Sequence, residues 1–285
     1  MNDDARLKGS RSTGVNRTRR PGPFGPGSRS TGRPGPFGPG VLFWQIAVGV
    51  VFLAAWQAGV SLKLLDPFFV SQPTDIGARI VRWLASGSLW GHLAVTLEES
   101  LLGLLAGAAI GISLGFTLAR TPFLARVLDP YIKMLNAVPR VVLAPLFLLW
   151  FGLGIWSKVA LAVTLVFFVM FFNTYQGVRD ADRVLIDNVR MLGATERQLV
   201  RHVLIPSALT WIFSSLQTSL GFAMVGAVVG EYLGATRGLG YVIAQAEGTF
   251  DTTGVFAGMT VLGVVVVMVS AGVTRLERWL LRWKS

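Results

Sequence analysis

The run from Val41 to Leu62 contains no charged residue and is longer than the ~20 residues that carry a helix across a bilayer. Comparable apolar runs recur to the end of the chain. In lipid, backbone N–H and C=O groups find no water, so each run must satisfy its own hydrogen bonds, as a helix does. Composition agrees. Only 14% of residues are charged and 52% are hydrophobic, against about one quarter charged for a soluble domain. The expected class is an all-α membrane protein.

Several functions are excluded early. The chain has no cysteine, so disulfides, thiolate metal sites and cysteine nucleophiles are absent. With two histidines, His92 and His202, no histidine-rich metal centre is expected. The net charge of +11 follows the positive-inside bias of membrane proteins and not nucleic-acid binding.

Residues 1–40 differ in kind. RPGPFGPG occurs at Arg20 to Gly27 and again at Arg33 to Gly40, and GSRSTG is also duplicated. Such a Pro/Gly-rich tail has too little apolar surface to offset ordering entropy and is expected to be disordered. Its arginines could lean on an anionic leaflet, or the tail could have no role. It lacks the apolar stretch and cleavage site of a secretory signal. Residues 41–285 are then the membrane domain.

Six spans are expected: 41–62, 94–119, 141–156, 159–178, 206–230 and 252–274. Between the first two, Thr74-Asp75 can open a short interfacial helix, with Trp83 and Trp90 at headgroup level. Gly103, Gly107, Gly111 and Gly115 recur every fourth residue, a stripe that lets a second backbone approach closely. Arg120 to Asp129 reads as a short basic connection. Pro139, Pro145, Gly152 and Gly154 interrupt the next segment, and irregular backbone at membrane depth must be buried or line a cavity. Glu231 to Asp251 reads as a polar loop.

Six spans place both termini on one side. With the termini inside, the cytoplasmic loops hold Arg120 and Arg126, then Arg179, Arg183, Arg190, Arg197 and Arg201, with more basic residues at the C-terminus. The opposite loops hold fewer. The large polar loop, 181–206, is therefore expected in the cytoplasm.

That loop has internal design. Leu185, Val189 and Leu192 fall on one helical face. Gly193 suits a left-handed helix end. Thr195 and Gln198 have capping-box form, and Leu199, Val200, Val203 and Leu204 give the next helix its apolar face. A rigid elbow joined to a transmembrane helix can pass a push from the cytoplasm into the bundle. An ordinary structured loop is the alternative.

The same segment resembles the EAA loop of ATP-binding-cassette importer permeases: Glu-Ala-Ala, three residues, Gly, nine residues, then Ile-x-Leu-Pro. Here the positions are Asp187-Asn188-Val189, Gly193, and Val203-Leu204-Ile205-Pro206. Gly193 and Pro206 keep the spacing, while Asn188 and Val189 replace the two alanines. Ala137 to Gly152 (AVPRVVLAPLFLLWFG) and Val229 to Ile243 (VGEYLGATRGLGYVI) resemble the nitrate/sulfonate/taurine branch. GAVVGEYLGA with Glu247 to Gly258 also resembles relatives assigned to pyrimidine precursors of thiamine.

The resemblance implies a type I, MetI-like fold of six transmembrane helices in the inner membrane. It implies a coupling set of Asp187, Asn188, Val189, Gly193, Ala194, Thr195, Val203, Ile205 and Pro206. It also implies a second permease, commonly an identical copy, two cytoplasmic ATPases that grip the loops, and a soluble or lipid-anchored solute-binding protein. This chain has no P-loop, so ATP and Mg belong to the ATPase and no cofactor is expected here. The cargo would be an oxyanion or sulfonate, or a pyrimidine-type ring. Glu99, Pro139 and Glu231 are the pathway or gate candidates. Glu98 and Glu99 could instead lie at the wet interface, but a carboxylate inside the bilayer points to function. Lys133 and Arg140 read as snorkelling residues. A channel, a secondary transporter and an intramembrane enzyme are the rival classes. The spans hold no serine–histidine or paired-aspartate arrangement.

Overall fold

The computed structural model describes the backbone of residues 39–280 and the side chains of residues 40–275. Residues 1–38, which hold most of the repeat tail, lie outside it. The chain divides after Phe52 into two units. In the first, residues 39–52 form the beginning of an apolar helix, α1 (Pro39–Ser61). Proline suits the first helical turn, where its missing N–H has no partner to lose.

The second unit holds the remainder. It contains α2 (Pro67–Val70), α3 (Pro73–Ala85), α4 (Ser88–Arg120) and α5 (Pro122–Ala137). A 3₁₀ turn, Arg140–Leu143, leads into α6 (Ala144–Phe151), followed by α7 (Ile155–Arg179), α8 (Arg183–Met191) and α9 (Glu196–Leu199). A π-helical turn, Val200–Leu204, joins α9 to α10 (Ile205–Leu233), and α11 (Leu239–Gly248) and α12 (Thr252–Leu280) complete the chain. No strand occurs among the described residues.

The glycine stripe places the core. Gly103, Gly107, Gly111 and Gly115 of α4 lie directly against α7, and a Cβ at Gly111 would stand 2.7 Å from the Phe167 carbonyl oxygen. At Gly115 it would stand 2.6 Å from that of Phe171. From the other side Gly226 of α10 meets Ala162 of α7, where a Cβ would come 2.5 Å from the Ala162 Cα. Ala162 is fully buried between the two. Without side chains in the way, α7 is held at backbone distance by both neighbours, as membrane helices that cannot rely on the hydrophobic effect require. The opposite face of α4 carries exposed Leu101, Leu105, Ile110 and Leu114.

These contacts fix direction. Gly103 meets Ala162 and Gly115 meets Thr174, so α4 and α7 run parallel; Gly177 meets Ala208 and Gly230 meets Lys158, so α10 runs back. Arg120, Arg179 and Ile205 therefore mark one end of the bundle, the loop end, and Ser88, Ile155 and Leu233 mark the far end.

Several expectations need correction. The segment 120–129 is not a short connection, because helix α5 runs through it and through Pro130. A proline inside a helix removes one hydrogen bond and can bend the helix without ending it. The span expected at 141–156 is the eight-residue α6 with its 3₁₀ turn, joined to α5 at a bend of 81°. The break lies at Val138-Pro139, where proline forces its predecessor out of the helical region and Val138 has ψ 127°. Among the described residues, five helices are long and apolar enough to cross a membrane; the bent pair is a sixth only if counted as one span. Residues 231–251 are not simply a loop, since they contain the end of α10 and all of α11. Helix α3 forms as expected. Trp90 is exposed, while Trp83 packs beside Leu89.

Candidate functional site

The loop end carries the elbow. Asp182 opens α8 by accepting the Val184 N–H at 2.8 Å, a cap the sequence reading missed. Gly193, φ +80°, reverses the chain, and its N–H reaches the Arg190 carbonyl at 2.9 Å while that of Ala194 reaches Val189 at 3.2 Å. Only glycine takes this left-handed backbone without a penalty. Thr195 then caps α9. Its N–H donates to Gln198 Oε1 at 2.8 Å and its hydroxyl accepts the Gln198 N–H at 3.4 Å, a reciprocal box. Thr195→Ala should cost about 1 kcal/mol and lower the Tm of the purified protein by a few degrees, as a thermal melt would report.

The apolar face expected of α8 is divided between the bundle and the outside. Ile186 and Val189 pack against a cluster of Val178, Ala181, Leu199, Val203, Leu204 and Ala208. Leu185 and Leu192 are exposed, as are Val184 and Met191. Leu192 and Met191 are each 86% exposed, beyond the reach of any face that α8 turns to the bundle. Asp187, Asn188, Gly193 and Thr195 also face outward, and Ala194 is half-buried. Val189, Leu192, Gly193, Ala194, Gln198 and His202 line a groove of about 320 Å³ on the elbow. Glu196 pairs with Arg120 at 3.5 Å and Arg190 at 3.3 Å. As exposed pairs these position more than they stabilise.

Pro206 does not begin a separate helix. Residues 196–233 form one continuous helical rod. The π-helical turn precedes Pro206, and the Ile205 N–H bonds to the Val200 carbonyl, five residues back. A widened turn relieves the clash that proline makes with the carbonyl four residues before it. Val203 is buried, Ile205 is 40% exposed and Pro206 is half-buried. From Glu196 onward the helix therefore reaches α10 without a break.

About 30 Å away along α4, at ~1.5 Å per residue, the far end holds a buried polar cluster. Glu99, Lys158, Glu231 and Thr96 are 3%, 0%, 1% and 0% exposed. Thr96 donates to Glu231 Oε1 at 2.6 Å, and Glu231 Oε2 accepts the Gly240 N–H at 2.7 Å. Lys158 Nζ donates to the carbonyls of Leu153 and Gly154 at 2.6 and 3.1 Å. Lys158 packs against Gly230, the residue before Glu231. Glu99 Oε2 is buried without a partner. Glu98 is exposed, so the two neighbouring glutamates part company. Pro139 lies apart, at the bend before the 3₁₀ turn. Lys133 pairs with Asp129 at 2.7 Å on the surface. Arg140 bonds Asn136 and lies 4.5 Å from the Phe168 ring centroid.

Residues 107–285 match the family described as binding-protein-dependent transport system inner membrane component. Three relatives match most of the chain. An aliphatic sulfonates transport permease protein of Bacillus subtilis (strain 168) is 34% identical, over 82% of this chain and 85% of its own. A riboflavin transport system permease protein of Chloroflexus aurantiacus is 37% identical, over 83% and 88%. A formylaminopyrimidine transport permease protein of Halalkalibacterium halodurans is 33% identical, over 83% and 94%. Among solved structures, a chain of the inward-facing MetNI methionine ABC transporter superposes with a TM-score of 0.55 at 22% identity, over 69% of this chain and 95% of that one. The fold is thus that of an ABC importer permease, and the chain belongs to the family of binding-protein-dependent transport system inner membrane components.

Proposed function

We propose that the chain is one of two identical permeases in an ATP-driven importer, with the elbow at residues 181–206 as the socket for a cytoplasmic ATPase. The observation that carries this is the unbroken rod from Glu196 to Leu233 behind a glycine-turned, capped elbow. Val184, Leu185, Met191 and Leu192 give the elbow an apolar surface that water does not favour and a partner would cover. Asp187, Asn188, Gly193, Ala194 and Thr195 border that contact, while Val189, Val203, Ile205 and Pro206 pass it into the bundle. ATP and Mg are held by the ATPase, and a solute-binding protein delivers cargo to the far end.

The topology supports six crossings. Helix α4 ends at the loop end and α7 begins at the far end, so residues 122–154 must travel back along the bundle. The bent pair is then one broken crossing, with Pro139 at its bend. Six crossings put both termini, the elbow and the basic residues on the cytoplasmic side of the inner membrane.

The cargo is a small organic solute. Relatives carry names for sulfonates, riboflavin and formylaminopyrimidine, so the common scaffold tolerates anionic and ring-shaped solutes. Glu99 and Glu231 do not argue for a cationic cargo, because both are buried and Glu231 is already bonded to Thr96 and the Gly240 N–H. Selection then falls to the binding protein. Reconstitution in vesicles with the ATPase and binding protein should give uptake that needs ATP and both partners. Uptake without the ATPase would overturn the reading in favour of a channel or secondary transporter.

A further inference from the structure

Helix α11 has no cap of its own. The first amides of a helix lack intrahelical acceptors, and here three successive ones are answered from elsewhere in the chain. Gly238 N–H donates to His92 Nδ1 at 3.1 Å, Leu239 N–H to Thr96 Oγ1 at 2.8 Å, and Gly240 N–H to Glu231 Oε2 at 2.7 Å. Two of the acceptors belong to α4 and the third to α10. Thr96 also donates to Glu231, so the two helices are bonded to each other beneath the end of α11. Gly238 has φ +114° and leaves no room for a Cβ beside the Glu231 carboxyl group. Lys158 packs under Gly230 and ties the start of α7 and the Gly152–Gly154 linker to the same point. Leu148 of α6 and Leu153 touch Gly234 just above.

A capped helix alone would need one acceptor on one neighbour. This one bridges α4 and α10, the two helices that flank α7, and each acceptor is useful only at one spacing of the pair. Separation of α4 from α10 at the far end must break the Thr96–Glu231 bond together with at least one of the three amide bonds. We propose that His92, Thr96 and Glu231 are positioning residues that latch α11 over the far side of the transport path and release it when the elbow drives α10. The stem of Lys158 packs on α10 at Gly230, next to Glu231. The Glu231 carboxyl oxygen answers a helix amide that would otherwise have no acceptor. The latch rests on the importer reading, and ATP-driven uptake by the parent complex establishes that reading before any variant is compared.

The chain's lack of cysteine makes the latch directly readable. Ala246 of α11 is 8% exposed, so Ala246→Cys gives a single reporter that is shielded while α11 is seated. In the assembled complex without nucleotide, Thr96→Val should raise its labelling by an impermeant maleimide roughly tenfold, the effect of leaving buried polar groups unpaired. ATP hydrolysis without binding protein should rise and uptake per ATP should fall. Valine matches threonine in shape, whereas Thr96→Ser keeps only the hydroxyl. The latch predicts that serine behaves as the parent and valine does not; a packing role predicts the reverse. If Thr96→Val fails to assemble, His92→Phe decides, since it keeps the ring beside Tyr241 and loses only the acceptor for Gly238. Parent-like labelling and hydrolysis in the deciding variant would overturn the proposal.

Discussion

Gly193→Pro is expected to abolish ATP-driven uptake while the protein still inserts in the membrane. Proline holds φ near −65°, and the position requires +80°. Proline also lacks the N–H that Gly193 donates to Arg190 at 2.9 Å. The chain could not reverse there, and α8 would lose its seat on Val203 and Leu204. Insertion should survive because the change is confined to the elbow and leaves every apolar span untouched. Gly193→Ala separates conformation from space: no atom lies within 4 Å of a Cβ at this position, so its penalty is only that of a left-handed alanine, ~1 kcal/mol. Alanine should therefore leave much of the uptake intact where proline leaves none. The check is uptake into vesicles normalised to the amount of complex, alongside membrane-fraction yield. Equal uptake by the proline variant and the parent would remove the elbow from the mechanism.

The elbow was legible because its signals are local. A glycine that needs positive φ, followed by Thr195 and Gln198 three apart, fixes a turn and a cap within a few residues. The division of the apolar face of α8 was not legible, for a related reason. Spacing groups Leu185, Val189 and Leu192 on one side of an isolated helix, but Gly193 begins to turn the chain at Leu192 and a docking surface also needs apolar residues facing out. Periodicity does not say whether an apolar face meets the chain's own core or a partner. Helix α11 was missed because its caps, His92, Thr96 and Glu231, lie on other helices, two of them more than a hundred residues away. The π-helical turn was missed because Pro206 reads locally as a helix start. Its compensation lies in how the preceding five residues unwind. Glu231 was singled out by its charge in an apolar context. Lys158 was not, because it falls between the expected spans 141–156 and 159–178.

The glycine stripe sets the other large effect. Gly111→Leu is expected to prevent the bundle from assembling, with little folded protein recovered after solubilisation. At Gly111 even a methyl group would meet the Phe167 oxygen at 2.7 Å, Met170 Cβ at 2.9 Å and the Phe171 nitrogen at 3.0 Å. Two of these are backbone atoms, which cannot swing aside as a side chain can. Helix α4 would have to move off α7, and each of the other three glycine contacts would open with it. Overpacking at one core position typically costs 1–3 kcal/mol; here the displacement spreads along the whole α4–α7 seam, so the loss should exceed that range. Gly111→Ala should already lower Tm by several degrees. Gly263→Ala is the matched control, a helical glycine in α12 with no atom within 4 Å of its would-be Cβ. Helix propensity alone makes that change neutral or favourable by up to ~1 kcal/mol. Thermal melts of the three variants thus separate backbone approach from a general need for glycine in membrane helices. If both alanine variants melt with the parent, the stripe does not hold α4 against α7. If both melt early, Gly263 packs against a partner helix, and the second copy of the permease is the one to examine.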